Sequence, residues 1–186
     1  MRRLPSVLAL AASTAFAAQA ALAQTAPAAP AEAAPPAAPQ TFESPIQNGK
    51  GEPIGKIMIR DGASSLVMRV TIQPGGLPPG WHGIHFHAVG DCSDPKFMNS
   101  KAHVNHDQSK HGLLNPDGPD EGDLPNIFAN QDGSANAEVS SETALTGEGG
   151  LKDGDGSALI THANEDDHTT QPIGGAGDRI ACGVIK

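Results

Sequence analysis

The chain has 186 residues, a formal net charge of −9 at pH 7 and only two cysteines, which suits one folded domain with a single core. An acidic chain without a basic stripe of interleaved aromatic residues is not expected to bind nucleic acid. Beyond the N-terminal region, no stretch approaches the roughly 18 apolar residues that a membrane-spanning helix requires, so no transmembrane span is expected.

The first 40 residues predict two segments that precede the folded domain. A basic start, an uncharged Ala- and Leu-rich stretch and the small residues Ala21-Leu22-Ala23 are typical of a secretory signal peptide, which we place at residues 1–23. Residues 24–40 are nearly all Ala and Pro, so they are expected to form an extended, disordered tether. The sequence therefore predicts an exported, periplasmic protein with a folded domain at 41–186, which the tether could hold near the cell envelope.

Short apolar runs between Gly, Pro and Asp residues predict strands rather than helices. Residues 55–60 enter a turn at Asp61-Gly62, and 66–72 then alternates apolar and polar side chains as the hairpin partner. Further short strands are predicted at 126–129, 135–139, 158–162 and 180–185. A series of short strands favours an antiparallel sandwich or barrel. Two long connections, 90–124 and 163–178, lack a strand pattern, and connections of this length are usually functional.

Cys92 and Cys182 are expected to form one structural disulfide, because exported proteins fold under oxidising conditions. The bridge would close a loop of about 90 residues, for which chain entropy predicts a stabilisation of roughly 4 to 5 kcal/mol. We therefore expect it to fasten the fold and to carry no redox chemistry.

The run 81–87, Trp-His-Gly-Ile-His-Phe-His, predicts a strand that presents imidazoles on one rigid face. Side chains alternate along a strand, so His85 and His87 project to the same side. More histidines and aspartates follow in or near the two long connections: His103, His106, His111, Asp120, Asp123 and His162. Histidines alone suit copper, whereas histidines with aspartates suit a closed tetrahedral zinc site. The clustering therefore predicts a metal site.

With these motifs in view, the sequence resembles the exported bacterial copper/zinc superoxide dismutases from about residue 45 to its end. The matching segments, in order, are 82–87, 90–92, His103, His111, 122–126, His162 and 174–186. The resemblance implies an all-β fold, a Greek-key antiparallel β-sandwich or flattened barrel with two long functional loops. It also implies copper and zinc as cofactors.

Residue by residue, the resemblance implies two metal sites that share one histidine. The copper ligands would be His85, His87, His103 and His162. The zinc ligands would include His103, His111 and Asp123, with the imidazolate of His103 as the bridge. Asp166 would be the carboxylate that links ligands of the two metals, and Arg179 would stand beside copper. Cys92 and Cys182 match the disulfide of the family.

One position departs from the family pattern. The family has a third zinc histidine nine residues after the position of His111, and this chain has Asp120 there. Asp120 would then ligate zinc itself, which gives two histidines and two aspartates, a set that zinc accepts. Two alternatives stay open: His106 replaces the missing histidine, or zinc binds weakly and the site is often empty.

The function that the resemblance implies is the dismutation of superoxide to dioxygen and hydrogen peroxide, by alternate reduction and reoxidation of copper. Arg179 would dock the anion, and His103 would leave copper on reduction and return a proton on reoxidation. The main rival is a non-catalytic metal carrier on the same fold, which would need the ligands but not Arg179. A tethered structural sandwich is a further alternative, but it gives no reason for the histidine spacing. Monomer and homodimer are both compatible with the sequence. Among the remaining histidines, His168 in the second long connection is expected to be solvent-exposed.

Overall fold

The computed structural model describes residues 40–62 and 64–186. The expected signal peptide and all but the last residue of the expected tether lie outside the described residues. In the described part the chain forms β-strands and one short 3-10 helix, Met98–Ser100, and no helix is long and apolar enough to cross a membrane. The strands, in chain order, are β1 (Thr41–Asn48), β2 (Pro53–Asp61), β3 (Leu66–Ile72), β4 (Gly80–His82), β5 (Ile84–His87), β6 (Ile127–Ala129), β7 (Ala135–Ser141), β8 (Ser157–His162) and β9 (Arg179–Ile185).

Seven of these strands lie in one sheet, in the order β5-β8-β9-β1-β2-β3-β7, and β4 pairs with β6 in a second sheet. Every pair is antiparallel. The neighbours β5 and β8, β9 and β1, and β3 and β7 are distant in sequence, so the chain crosses over between them as in a Greek key. The predicted all-β, antiparallel fold class is confirmed.

The predicted hairpin of β2 and β3 is held by alternating burial. Every second side chain of β3 is buried: Leu66, Met68, Val70 and Ile72. On β2, Ile57 lies opposite Val70 and Ile59 lies opposite Met68, so one face of the hairpin enters the core. Burial of each such side chain contributes about 1.5–3 kcal/mol relative to exposure. The core therefore fixes the register, because a slip by one residue would turn all of them toward solvent.

The run 81–87 is not one strand, which corrects the prediction from the sequence. Gly83 separates β4, which pairs with β6, from β5, which pairs with β8. The Gly83 N–H donates to Asn164 O (2.8 Å), and a Cβ atom at this position would lie 3.0 Å from Ala176 Cβ and 3.1 Å from Asp166 Cβ. The chain thus changes sheet at a residue without a side chain, where the second long connection packs closely against it.

β1 has no counterpart among the predicted strands. Its sequence, Thr-Phe-Glu-Ser-Pro-Ile-Gln-Asn, lacks a continuous apolar alternation, and Ile46 is its one fully buried residue. Even so, β1 lies between β2 and β9, and Ile46 is opposite Gly55 on one side and Gly183 on the other. The strand forms because neighbours on both sides satisfy its backbone, a tertiary effect that overrides local preference.

The two long connections, 88–126 and 163–178, are joined by direct hydrogen bonds. Gln171 Nε2 donates to His111 O (2.8 Å), and Asn126 Nδ2 donates to Asp166 O (2.8 Å). The segments that carry the expected ligands therefore brace each other.

Cys92 and Cys182 form the predicted disulfide, with their Cα atoms 5.9 Å apart. Cys182 is buried on β9, and Cys92 lies in the first long connection. Gln47 Nε2 on β1 also donates to Cys92 O (2.9 Å). The bridge therefore fastens the first long connection to strands in the middle of the large sheet.

Candidate metal centre

The pairing of β5 with β8 brings three predicted ligands together. His162 ends β8, and the preceding residue, Thr161, lies opposite Ile84 on β5. One ligating nitrogen each from His85, His87 and His162 lies within 4.8 Å of the other two, as expected if His85 and His87 share a face. A backbone bridge pairs His87 with His103 in the first long connection. The sheet and one loop thus supply four imidazoles.

Each of these four imidazoles has one buried nitrogen without a hydrogen-bond partner within the described part of the chain. The four atoms are His85 Nδ1, His87 Nε2, His103 Nε2 and His162 Nε2. One more such nitrogen, His168 Nδ1, lies in the second long connection. The ring centroid of His103 lies 4.2 Å from that of His85 and 5.1 Å from that of His87. Because buried polar atoms are normally paired, a set of converging unpaired nitrogens indicates a site for a metal ion. We call these atoms the four-nitrogen group.

The other ring nitrogens fix which atom of each imidazole is free. His87 Nδ1–H donates to Lys101 O (2.8 Å), and His162 Nδ1–H donates to Gly177 O (2.9 Å). His85 uses its other nitrogen, because Nε2–H donates to Asp166 Oδ2 (2.7 Å). A neutral imidazole has one donor and one acceptor nitrogen. Each of these rings donates through one nitrogen and therefore keeps a lone pair on the other, which is its member of the four-nitrogen group. Such outer hydrogen bonds are typical of metal-binding histidines.

The electrostatics of these histidines favour metal binding over protonation. Burial lowers the pKa of His85, His87 and His162, because the interior solvates an imidazolium cation poorly. The positive charge of Arg179 also lowers the pKa of His87 and His162. For His162 the pKa falls to about 3. All three rings are therefore neutral at pH 7.

A second group of donors lies on the other side of His103. It consists of His103, His111, Asp120 and Asp123, all buried, with one ligand atom from each within 4.8 Å of the others. His103 Nδ1 lies 3.0 Å from Asp120 Oδ2 and 3.6 Å from Asp123 Oδ1, and His111 Nδ1 lies 2.5 Å from Asp123 Oδ1. We call this set the carboxylate group. His103 belongs to both groups through its two nitrogens.

Asp120, and not His106, is the fourth member of the carboxylate group. The His106 ring is exposed, and its Nδ1 pairs with Glu121 Oε2 at 2.6 Å. The Asp120 carboxylate is held in place by the Gly122 N–H, which donates to Oδ1 (3.0 Å). The arrangement therefore favours two histidines and two aspartates over a set completed by His106.

Asp166 connects the two groups, in the position that the resemblance implies. Its Oδ2 accepts from His85 Nε2 (2.7 Å), and its Oδ1 lies 3.1 Å from His111 Nε2. Burial lowers the pKa of His111, but hydrogen bonds with Asp123 and Asp166 outweigh that effect and raise it to about 10. Burial raises the pKa of Asp166, and its hydrogen bonds from His111 and His85 outweigh burial and hold it well below its usual range. Asp166 is therefore a permanent anion between the two groups.

His168 is not solvent-exposed, which corrects the expectation from the sequence. Its side chain is 17% exposed, and its Nδ1 lies 3.6 Å from Asp166 Oδ2. Its backbone N–H donates to Asp166 Oδ1 (2.7 Å), and Asn126 Nδ2 contacts its Nε2 (3.2 Å). The chain turns back at His168 with φ of 59°, and this turn brings the ring over the buried carboxylate.

Arg179 stands beside the four-nitrogen group and is anchored by the first long connection. Nη1 donates to Phe97 O (2.8 Å) and Ser100 Oγ (3.1 Å), and Nη2 donates to Lys101 O (2.7 Å). Lys101 O also accepts from His87 Nδ1, so one carbonyl orients both the ligand and the cation. No carboxylate among the described residues lies within the 4.0 Å of an ion pair with this guanidinium, so its charge is not neutralised by direct pairing.

The carbonyls of Phe97, Lys101 and Gly177 escape prediction because every residue has a carbonyl. Phe97 and Lys101 have positive φ angles, 56° and 67°, which non-glycine residues seldom adopt. Such strain tends to occur at functional sites. Here the two residues turn their carbonyls toward Arg179.

Comparisons with known proteins find relatives over most of the described chain. The profile of the copper/zinc superoxide dismutase family matches residues 54–185. Over 146 residues the chain is 49% identical to the Cu-Zn superoxide dismutase of Caulobacter vibrioides, covering 76% of this chain and 83% of that protein. It is 39% identical over 146 residues to Cu-Zn superoxide dismutase 1 of Aquifex aeolicus, covering 76% of this chain and 85% of that protein.

Solved structures show the same architecture. A SOD-like protein from Bacillus subtilis is 30% identical with a TM-score of 0.72, covering 77% of this chain and 97% of that one. The Cu/Zn superoxide dismutase from Brucella abortus is 26% identical with a TM-score of 0.64, covering 79% of this chain and 100% of that one. The similarity therefore includes the strands and long connections that carry both donor groups.

Proposed function

The chain belongs to the copper/zinc superoxide dismutase family, and on that premise we propose how its own residues divide the reaction. The enzyme converts two superoxide anions and two protons to dioxygen and hydrogen peroxide, with copper and zinc as cofactors. Copper, when bound, supplies the two accessible oxidation states that accept and return one electron. The residues must bind both metals, hold the anion and deliver protons.

The four-nitrogen group is the copper site. Imidazole is a good ligand for copper in both oxidation states. One nitrogen each of His85, His87 and His162 lies within 4.8 Å of the other two, and the His103 ring lies beside those of His85 and His87. The observation that carries this proposal is that these four buried nitrogens have no other partner within the described chain. Burial keeps His85, His87 and His162 neutral, so they bind a cation without first releasing a proton.

The carboxylate group is the zinc site. His103, His111, Asp120 and Asp123 provide two nitrogen and two oxygen donors, a set compatible with tetrahedral zinc. Asp123 Oδ2 accepts from the Gly112 N–H (2.6 Å) and the Asp120 N–H (3.0 Å), so the backbone holds this carboxylate in place. The site is therefore organised by the chain itself.

His103 is the residue through which the two sites communicate. Its Nδ1 faces the carboxylates, while its Nε2 belongs to the four-nitrogen group. An imidazole held at Nδ1 can still take up and release a proton at Nε2. His103 Nε2 therefore supplies one proton to the product side of the reaction.

Arg179 binds the anion. A guanidinium stays charged at every physiological pH, and its anchoring by Phe97 and Lys101 carbonyls fixes it next to His87. A fixed cation beside the site concentrates small anions there and raises their association rate. A metal carrier would have no use for this arrangement, so it supports the enzyme.

Metal analysis of three variants tests these assignments. We expect His162→Ala to lose copper and keep zinc, and Asp123→Ala to lose zinc and keep copper. His106→Ala is the control and should hold both metals as the wild type does, since His106 pairs with Glu121 outside both groups. Zinc loss in His106→Ala would overturn the ligand set, and so would normal copper binding in His162→Ala.

Export to the periplasm is part of the same proposal. Disulfides such as Cys92–Cys182 form and persist mainly in oxidising compartments, and the relatives named above are bacterial. Fractionation and N-terminal sequencing of the exported protein test it, with a mature chain that begins after Ala23 as the expected result. A chain found in the cytoplasm with its first residues intact would contradict it.

A further inference from the structure

The two donor groups that share His103 differ in chemistry. The four-nitrogen group is made of imidazoles alone, whereas the carboxylate group has two imidazoles and two anionic oxygen donors. Copper binds most divalent-metal sites more tightly than zinc does. A site that must keep zinc where copper is also available therefore needs donors that reduce the advantage of copper.

We propose that Asp120 makes the zinc site discriminate against copper, so that the chain sorts the two metals by donor type. This inference rests on the proposed zinc site and adds its selectivity. Imidazole nitrogen suits copper, and carboxylate oxygen shifts preference toward harder cations. A carboxylate in place of one imidazole thus weakens copper, especially Cu(I), more than it weakens zinc.

Asp120 is built into the site and does not reach it from the surface. The residue is 5% exposed. Its Oδ2 lies 3.0 Å from His103 Nδ1, its Oδ1 accepts from the Gly122 N–H, and its own N–H donates to Asp123 Oδ2. Both carboxylate oxygens therefore have defined positions, and one already faces the nitrogen that zinc would take.

The surroundings of Asp120 favour divalent cations on this side of the protein. Asp120 and Asp123 line an open cleft of about 1020 Å³ together with Glu121, Glu142 and Glu148. A cleft lined by charges of one sign raises the local concentration of the opposite ion. The four-nitrogen group, in contrast, lies beside the cation Arg179. The zinc site thus has its own anionic approach.

Copper loading of the metal-free protein tests the selectivity. Wild-type protein given excess Cu(II), then exposed to a competing chelator, should retain one copper per chain. Co²⁺ added afterwards should enter the second site and show the visible absorption of a tetrahedral complex. The Asp120→His variant should retain two coppers and leave no place for Co²⁺. In competition between copper and zinc, the preference of this variant for copper at the site should rise at least about tenfold. Even residues that only hydrogen-bond to a metal ligand change metal affinity by about ten- to one-hundredfold when they are replaced.

The matched control is His106→Ala, which lines the same cleft but should behave as the wild type. Two tightly held coppers in the wild type would overturn the proposal, even if Asp120→His fails to fold. Equal copper preference in the wild type and Asp120→His would also overturn it. A wrong zinc assignment would give a different result. The tetrahedral Co²⁺ absorption would then either be absent from the wild type or persist in Asp123→Ala.

Discussion

Replacement of Asp166 by asparagine should weaken both metal sites at once. The buried carboxylate accepts from His85 Nε2 at 2.7 Å and lies 3.1 Å from His111 Nε2. These histidines belong to different donor groups, so one substitution reaches copper and zinc together. An asparagine keeps the size of the side chain but turns one acceptor oxygen into an NH₂ donor, which would face an imidazole N–H.

The expected size of the effect follows from the loss of one charge-assisted contact. A hydrogen bond to a charged group contributes about 1.5–3 kcal/mol. Since about 1.36 kcal/mol corresponds to a factor of ten, affinity should fall by roughly ten- to one-hundredfold, as is typical for partners of metal ligands. The metal site whose histidine faces the NH₂ group should lose the most metal affinity. The other site should lose less, because its histidine keeps an acceptor oxygen, although this oxygen is now neutral.

The assay is titration of metal-free protein with copper and with zinc against a competing chelator of known affinity. Glu165→Gln is the control, because it removes a carboxylate charge from the adjacent, exposed position without touching either group. It should bind both metals normally. Wild-type affinity for both metals in Asp166→Asn, with the fold intact, would refute the linking role of this carboxylate.

Three further predictions follow from the same structure. Arg179→Ala should slow superoxide decay by roughly tenfold or more with copper retained, because the fixed cation that gathers the anion is gone; an equally fast variant would exclude the docking role. Cys92→Ser should lower the free energy of unfolding by about 2–5 kcal/mol, measured by urea denaturation, since the bridge spans 90 residues; an unchanged value would contradict this. Metal-free protein should lose stability as the pH falls from 6.5 toward 3, because unfolded His162 takes up a proton that the folded residue, with its pKa lowered to about 3, does not. Urea midpoints at neutral and acidic pH check it, and a His162→Gln variant with an equal loss would count against this residue as a cause.

The parts of the fold that the sequence predicts are those with local periodicity. The alternation of β3 and the spacing of His85 and His87 hold in the structure, because a buried face repeats every second residue. The break at Gly83 is different. It depends on the second long connection lying against that glycine, a contact between distant segments that no local pattern contains. The same holds for β1, which is defined by its neighbours.

The site shows the same division between side chains and backbone. The histidines and aspartates could be singled out as candidate ligands from the sequence, because these side chains bind metals, and the family resemblance divided them between two sites. The carbonyl of Lys101, which orients both His87 and Arg179, has no signature. His168 is expected at the surface because it lies in the second long connection, yet a turn with positive φ at this residue folds it over Asp166. Backbone geometry of this kind is set by packing and emerges only in three dimensions.

The most direct test of the account is the rate of superoxide decay per bound copper, measured on the mature protein loaded with copper and zinc at low ionic strength. We predict a second-order rate constant near the diffusional ceiling, on the order of 10⁸–10⁹ M⁻¹s⁻¹, which falls as salt screens Arg179. A rate no faster than that of aqueous copper, from protein that holds both metals, would contradict the account.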